Sequence, residues 1–115
     1  MTDKLPRSTT TSMRFQNGVA IGISNRWVGG QYCSILTEFG IVGCGIYDVV
    51  VPSEFNQALA VAQGTVECPL MDPDDLLEAK IVRCTPRAES MGIQPGMTGL
   101  EAVELMLASG TEGSA

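Results

Sequence analysis

The stretch MRFQNGVAIGISNRWVGGQYCSILTEFGIVGCGIY, residues 13–47, decides the fold. Its apolar residues come in short segments, and glycine interrupts them at Asn17-Gly18, Gly29-Gly30 and Phe39-Gly40. Such pairs supply the positive φ angles of tight turns, so these points read as hairpin corners. The segments between them become consecutive antiparallel strands over residues 13–16, 19–27, 32–37 and 41–47. In the second, Val19, Ile21 and Ile23 alternate with Ala20, Gly22 and Ser24. That alternation predicts one core face of branched side chains and a reverse face small enough for a helix, a ligand or a second subunit to approach closely.

Beyond Tyr47 the period changes. Ser53 follows Pro52, and Phe55, Ala58, Leu59 and Ala62 then recur at three- and four-residue steps, which predicts a helix capped by Ser53 and ended by Gly64. Strand character returns over residues 65–70. Asp72 before Pro73, with Asp75 three positions on, reads as a cap opening a short helix to about Ala79. Residues 81–84 read as a further strand, and Thr85-Pro86 as the start of a helical turn that stops at Gly92. Thr98 and Glu101 stand at capping-box spacing before a last helix, in which Leu100, Val103 and Leu107 share one stripe while Glu101 and Glu104 face water.

The expectation is therefore an α+β fold: a single domain over residues 13–108, with a mostly antiparallel sheet of four to six strands packed with two to four helices. Residues 1–12, polar and rich in Ser and Thr, read as a flexible arm, and residues 109–115, small and polar, as a flexible tail. A chain of 115 residues with 44% hydrophobic and 17% charged residues suits one packed core. With 7 Lys and Arg against 13 Asp and Glu, the net charge of −6 repels phosphate backbones and anionic bilayers, so neither nucleic acid nor membrane is an expected partner. No apolar run approaches the ~18 residues of a membrane span, and the start of the chain has no secretory pattern. A cytoplasmic location with reduced thiols follows as the expectation.

Three motifs occur in order: Gly43-Cys44-Gly45-x-x-Asp48, then Asp75-Leu76-Leu77-Glu78-Ala79, then Gly92-Ile93-x-x-Gly96-Met97-x-Gly99. Over about residues 19–107 this order resembles the YunC-like family, a group of small bacterial and archaeal domains of unknown function. The resemblance implies a compact α+β domain and coincides with the family pattern at Cys44, Gly45, Asp48, Gly92, Gly96 and Gly99. It implies no catalytic residues, and the Ser/Thr-rich start of the chain has no counterpart in the pattern.

The chain contains no histidine, which removes Ser-His-Asp and Cys-His catalysis and the commonest ligand of catalytic zinc. Cys33, Cys44, Cys68 and Cys84 stand singly, without the paired spacing of a zinc knuckle or a Cys-x-x-Cys motif, so no metal is expected. Position 48 is Asp, so the glycines at 43 and 45 do not complete a dinucleotide fingerprint, and no cofactor is expected. The acids Asp72, Asp74, Asp75 and Glu78 are accounted for by capping and the helix dipole.

Cys44 is the sharpest candidate for chemistry. It lies between Gly43 and Gly45, where a small molecule can approach both thiol and backbone; glycines there also let a strand pack closely. Asp48 is the second, a carboxylate within an apolar stretch that either serves the thiol as proton acceptor or orienting group, or caps the turn out of the sheet. On a straight strand the two would lie ~13 Å apart, so cooperation requires a turn between them. Trp27 beside Gly29-Gly30, together with Gly43 and Gly45, is a candidate ligand contact.

Two functions stay open. One is a small-molecule-binding or protein-interaction module, a homo-oligomer and most simply a homodimer, that works through residues 43–48. The other is a small cysteine-dependent enzyme acting on sulfur, acyl or activated-carbon substrates, with Cys44 as nucleophile. Without histidine the thiolate would need a cation such as Arg14 or Arg26, or a helix N-terminus, to lower its pKa.

Overall fold

The computed structural model describes residues 5–113, with side-chain surroundings as far as residue 109. Six strands, β1 (Arg7–Phe15), β2 (Gly18–Trp27), β3 (Gly30–Leu36), β4 (Ile41–Gly43), β5 (Leu59–Gln63) and β6 (Lys80–Cys84), form one sheet in chain order. Every neighbouring pair is antiparallel except β4 and β5, which run parallel. The helices are α1 (Val50–Glu54), α2 (Pro73–Glu78), α3 (Pro86–Ser90) and α4 (Gly99–Gly113). This is the expected single α+β domain.

The first four strands are the expected meander, with turns at the three predicted glycine corners. The meander begins earlier than expected. Residues 7–12, read as a flexible arm, pair with β2 from Arg7↔Arg26 to Phe15↔Gly18. Threonine is a strand former, and the hairpin supplies a partner for every second backbone group, so the Ser/Thr run is an exposed edge strand. Residues 1–4 of that arm lie outside the described residues. At the other end α4 continues to Gly113, past the expected tail, because no proline follows to stop it. Residues 114 and 115 lie outside the described residues.

The expected face of β2 is inverted. Ala20, Gly22 and Ser24 point into the core, whereas Val19 is 55% and Ile21 44% exposed. The cause is close packing: a Cβ on Gly22 would stand 2.7 Å from the Met13 sulfur and 2.8 Å from the Pro73 ring. The small face lets α2 lie directly on the sheet.

The predicted helix over residues 53–62 is also corrected. Only α1 forms, and Ser53 sits inside it with its hydroxyl donating to the Val49 carbonyl at 2.6 Å. Leu59, Ala60, Val61 and Ala62 form the strand β5, each almost wholly buried. A central strand covered on both faces has no polar alternation, and its continuous apolar run imitates a helical stripe. Residues 65–70, expected as a strand, are a loop.

The later elements follow their caps. Asp72 and Asp75 form a reciprocal capping box at α2. Thr85 accepts from the Ala88 amide at the start of α3, and Thr98 with Glu101 closes the start of α4. Helix α4 packs on α2 and the sheet through Ala102, Val103, Met106 and Leu107, while Leu100, expected in that stripe, is 42% exposed. Glu104, expected in water, instead accepts from the Gln16 and Asn17 amides at 2.9 and 3.0 Å and ties the β1–β2 turn to the helix. Ile35, Leu76, Ile81 and Ile93, all at most 1% exposed, complete a core in which each large side chain contributes roughly 1.5–3 kcal/mol of burial.

Candidate functional site

Cys44 directly follows the end of β4. The β3–β4 register closes with Ser34↔Gly43, and one step further the Cys44 amide donates to the Cys33 carbonyl at 3.1 Å. Cys33 and Cys44 are therefore directly opposite across the two strands. Alternation places both side chains on the face that carries Ile35 and Val42, beneath the loop leading into α2. Both are buried, Cys33 completely and Cys44 to 6% exposure.

The two thiols perturb one another in opposite directions. A hydrogen bond from the Cys33 thiol lowers the Cys44 pKa, and main-chain hydrogen bonds from Ile46, Cys33 and Cys44 itself lower it further. Together they outweigh desolvation and bring it from 9.0 to about 5. The same hydrogen bond raises Cys33, and burial and the carboxylates of Asp75 and Asp72 push it further up. The single Cys33 S–H is shared between the Cys44 sulfur and the Leu70 carbonyl, 3.7 Å away. The shared hydrogen bond thus favours ionisation of Cys44 over Cys33.

The chain turns sharply after Cys44, with the Tyr47 amide donating to the Cys44 carbonyl at 3.1 Å. Gly45 lies exposed at this corner, and a Cβ placed there would meet nothing within 4 Å. Gly43 has a different role. A Cβ there would overlap the Tyr47 ring, which folds back over the opposite face of the strand. Tyr47 is hydrogen-bonded to the Ser34 side chain, and burial raises its phenol pKa.

Trp27 stands in a row with Tyr32 and Tyr47, successive ring centroids 6.0 Å apart, and its indole covers Gly30. Alternation puts this row on the face opposite the thiols, so Trp27 and Cys44 do not line one pocket. Asp48 is likewise committed elsewhere: its carboxylate accepts from the Val50 and Val51 amides at 3.1 and 3.4 Å and caps α1. Arg26 pairs with Asp72 at 2.7 Å, and Arg14 lies opposite Val19 near the β1–β2 turn. The groups acting on Cys44 are thus hydrogen-bond donors, where a cation was expected.

Sequence reading singled out Cys44 and passed over Cys33. The signal was present, since Cys33 and Cys44 lie at equal distances from the midpoint of the turn between β3 and β4. Of the other cysteines, Cys68 is exposed in a loop, and Cys84 is half-buried with its thiol pKa raised by burial and by Glu89. Among the described residues no three His, Cys, Asp or Glu side chains gather as a metal site. Among the same residues no helix is long and apolar enough to cross a membrane.

A family model described as a domain of unknown function, DUF1805, matches residues 43–106, from the strand end that carries Cys44 to the middle of α4. Among solved structures, a protein of unknown function from Thermoplasma acidophilum, TA1206, superposes with a TM-score of 0.76 at 19% identity, covering 88% of this chain and 94% of that one. That likeness extends over the sheet and helices and speaks to the fold. No curated protein matches the sequence.

Proposed function

We propose that this chain, which belongs to the DUF1805 family of domains of unknown function, is a small cysteine-dependent enzyme with Cys44 as its nucleophile. The observation that carries the reading is the placement of Cys44 directly opposite Cys33 at the end of a strand, beside a glycine corner with open space, where the neighbouring hydrogen-bond donors favour the thiolate. A thiolate is the reactive form of cysteine, and a site that holds it ionised at neutral pH without histidine suits attack on sulfur, acyl or activated-carbon centres. Slight exposure restricts the substrate to a small electrophile arriving past Gly45. Asp48 shapes the corner by capping α1 and takes no proton from the thiol. A cytoplasmic setting, which keeps thiols reduced, is part of the same reading.

The test is position-resolved alkylation of the native protein by iodoacetamide across pH, with the denatured protein as control. Rapid labelling of Cys44 at pH 6, with Cys33 silent until unfolding, supports the reading. A Cys44 that stays silent below pH 8 overturns it.

An interaction role is supported by a separate observation. Ile21 and Leu36 are register partners on the face of β2 and β3 opposite the thiols, 44% and 37% exposed, beside Val19 at 55%. An apolar patch of this kind suits a second copy of the chain, giving a homodimer built back to back. Light scattering of the wild type and of Ile21→Glu tests it: a dimer that the substitution dissociates supports the reading, and a wild-type monomer overturns it.

A further inference from the structure

We propose that Cys33 and Cys44 form a reversible disulfide, in which Cys44 is oxidised by a small hydroperoxide and Cys33 resolves the product. The inference rests on the assignment of Cys44 as the reactive thiol and adds to it an oxidant class and a second functional residue.

The geometry is that of a cross-strand pair. Cys33 and Cys44 continue the antiparallel register beyond Ser34↔Gly43, and directly opposite residues have Cα atoms about 4.5–5.5 Å apart, within the roughly 4.4–6.8 Å that a disulfide spans. Both side chains occupy the same face, so closing the bond requires side-chain rotation and no movement of strands. Cys44 alone of the two reaches solvent, at 6% exposure against 0% for Cys33. That difference assigns the roles: the outer sulfur meets the oxidant and the inner one resolves.

The thiolate of Cys44 attacks the distal oxygen of ROOH, the O–O bond breaks, and the leaving alkoxide takes a proton to become ROH. Cys44 is then a sulfenic acid. The Cys33 sulfur displaces its hydroxyl, which departs as water with the Cys33 proton, and the S–S bond forms. The dithiol has lost two electrons and the peroxide has gained them. Two equivalents of a low-molecular-weight thiol restore the dithiol by exchange.

The experiment treats the reduced full-length protein with equimolar hydrogen peroxide and maps its peptides without reduction. The expected result is a Cys33–Cys44 linked peptide, two hydrogens lighter and reversed by glutathione. In Cys33→Ala, and in Cys33→Ser if the alanine variant does not fold, the linked peptide is lost entirely and dimedone traps a sulfenic acid at Cys44. Wild-type protein that carries sulfinic acid at Cys44, with no link to Cys33, overturns the inference. If Cys44 in the untreated, reduced protein nonetheless alkylates rapidly at pH 6, the nucleophile assignment survives. If native Cys44 reacts with neither reagent, both fall.

Discussion

The Cys44 amide donates to the Cys33 carbonyl at 3.1 Å, and the two thiols on that strand pair shift one another in opposite directions, Cys44 down and Cys33 up. The Cys33 hydrogen bond is the largest influence lowering Cys44 from 9.0 to about 5. Cys33→Ala removes that donor and leaves desolvation opposed only by main-chain bonds. The pH of half-maximal Cys44 alkylation should rise towards the ordinary thiol range. Cys33→Ser keeps a donor and should shift it less. A profile unchanged in both variants would show that main-chain bonds alone hold the thiolate.

The same pair links stability to pH. Cys44 has a lower pKa folded than unfolded, so between about pH 5 and 9 the unfolded chain binds the extra proton and stability rises with pH. Cys33 is shifted the other way, so above about pH 9 the unfolded chain loses a proton that the folded one keeps, and stability falls again. The pair should therefore make stability rise as the pH climbs towards the ordinary thiol range and fall again beyond it. Urea midpoints measured from pH 5.5 to 10 should show that rise in the wild type. The rise should be flattened in Cys44→Ser.

Much of this arrangement is legible in the chain, and the gaps have physical causes. The capping residues Asp72, Thr85 and Thr98 announced α2, α3 and α4 because a cap is a local bond between neighbours in sequence. The glycine corners announced the meander for the same reason. What failed was assignment that depends on what packs above and below. Leu59 to Ala62 has the same residues whether it is a buried strand or a helix, and only the layers on both faces decide. The buried face of β2 was misread because Gly22 and Ala20 are on the inside by virtue of the closeness of α2 and α4. Cys44 stood out through its glycines, whereas Cys33 gains meaning only from the register.

The glycines flanking Cys44 should differ in their tolerance of substitution. A Cβ at Gly43 would overlap the Tyr47 ring, while one at Gly45 meets open space. Gly43→Ala should displace Tyr47 and cost about 1–3 kcal/mol, the usual range for overpacking. Gly45→Ala should leave the urea midpoint nearly unchanged and slow alkylation of Cys44 by narrowing its approach. Equal stabilities for the two variants would mean that Tyr47 swings aside freely. Unchanged alkylation in Gly45→Ala would mean that the reagent arrives by another route.

Thr85 provides the most demanding test of how β5 and the start of α3 are held together. Its side chain is wholly buried, donates to the Gln57 carbonyl at 2.6 Å, and accepts from the Leu59 and Ala88 amides at 3.0 and 3.3 Å. One hydroxyl thus satisfies a loop carbonyl, a strand amide and a helix-cap amide that have little access to water. Thr85→Val keeps the shape of the side chain and removes the oxygen, stranding these groups; at about 1–3 kcal/mol for an unsatisfied buried group, a loss of about 3 kcal/mol or more is expected. Thr85→Ser keeps the hydroxyl and forfeits one methyl group, for a loss of about 1 kcal/mol. Urea unfolding of the two variants separates bonding from packing. If valine proves no worse than serine, the hydroxyl's three bonds contribute little to the fold, and the apolar burial of Leu59 and Ala88 alone holds α3 against the sheet.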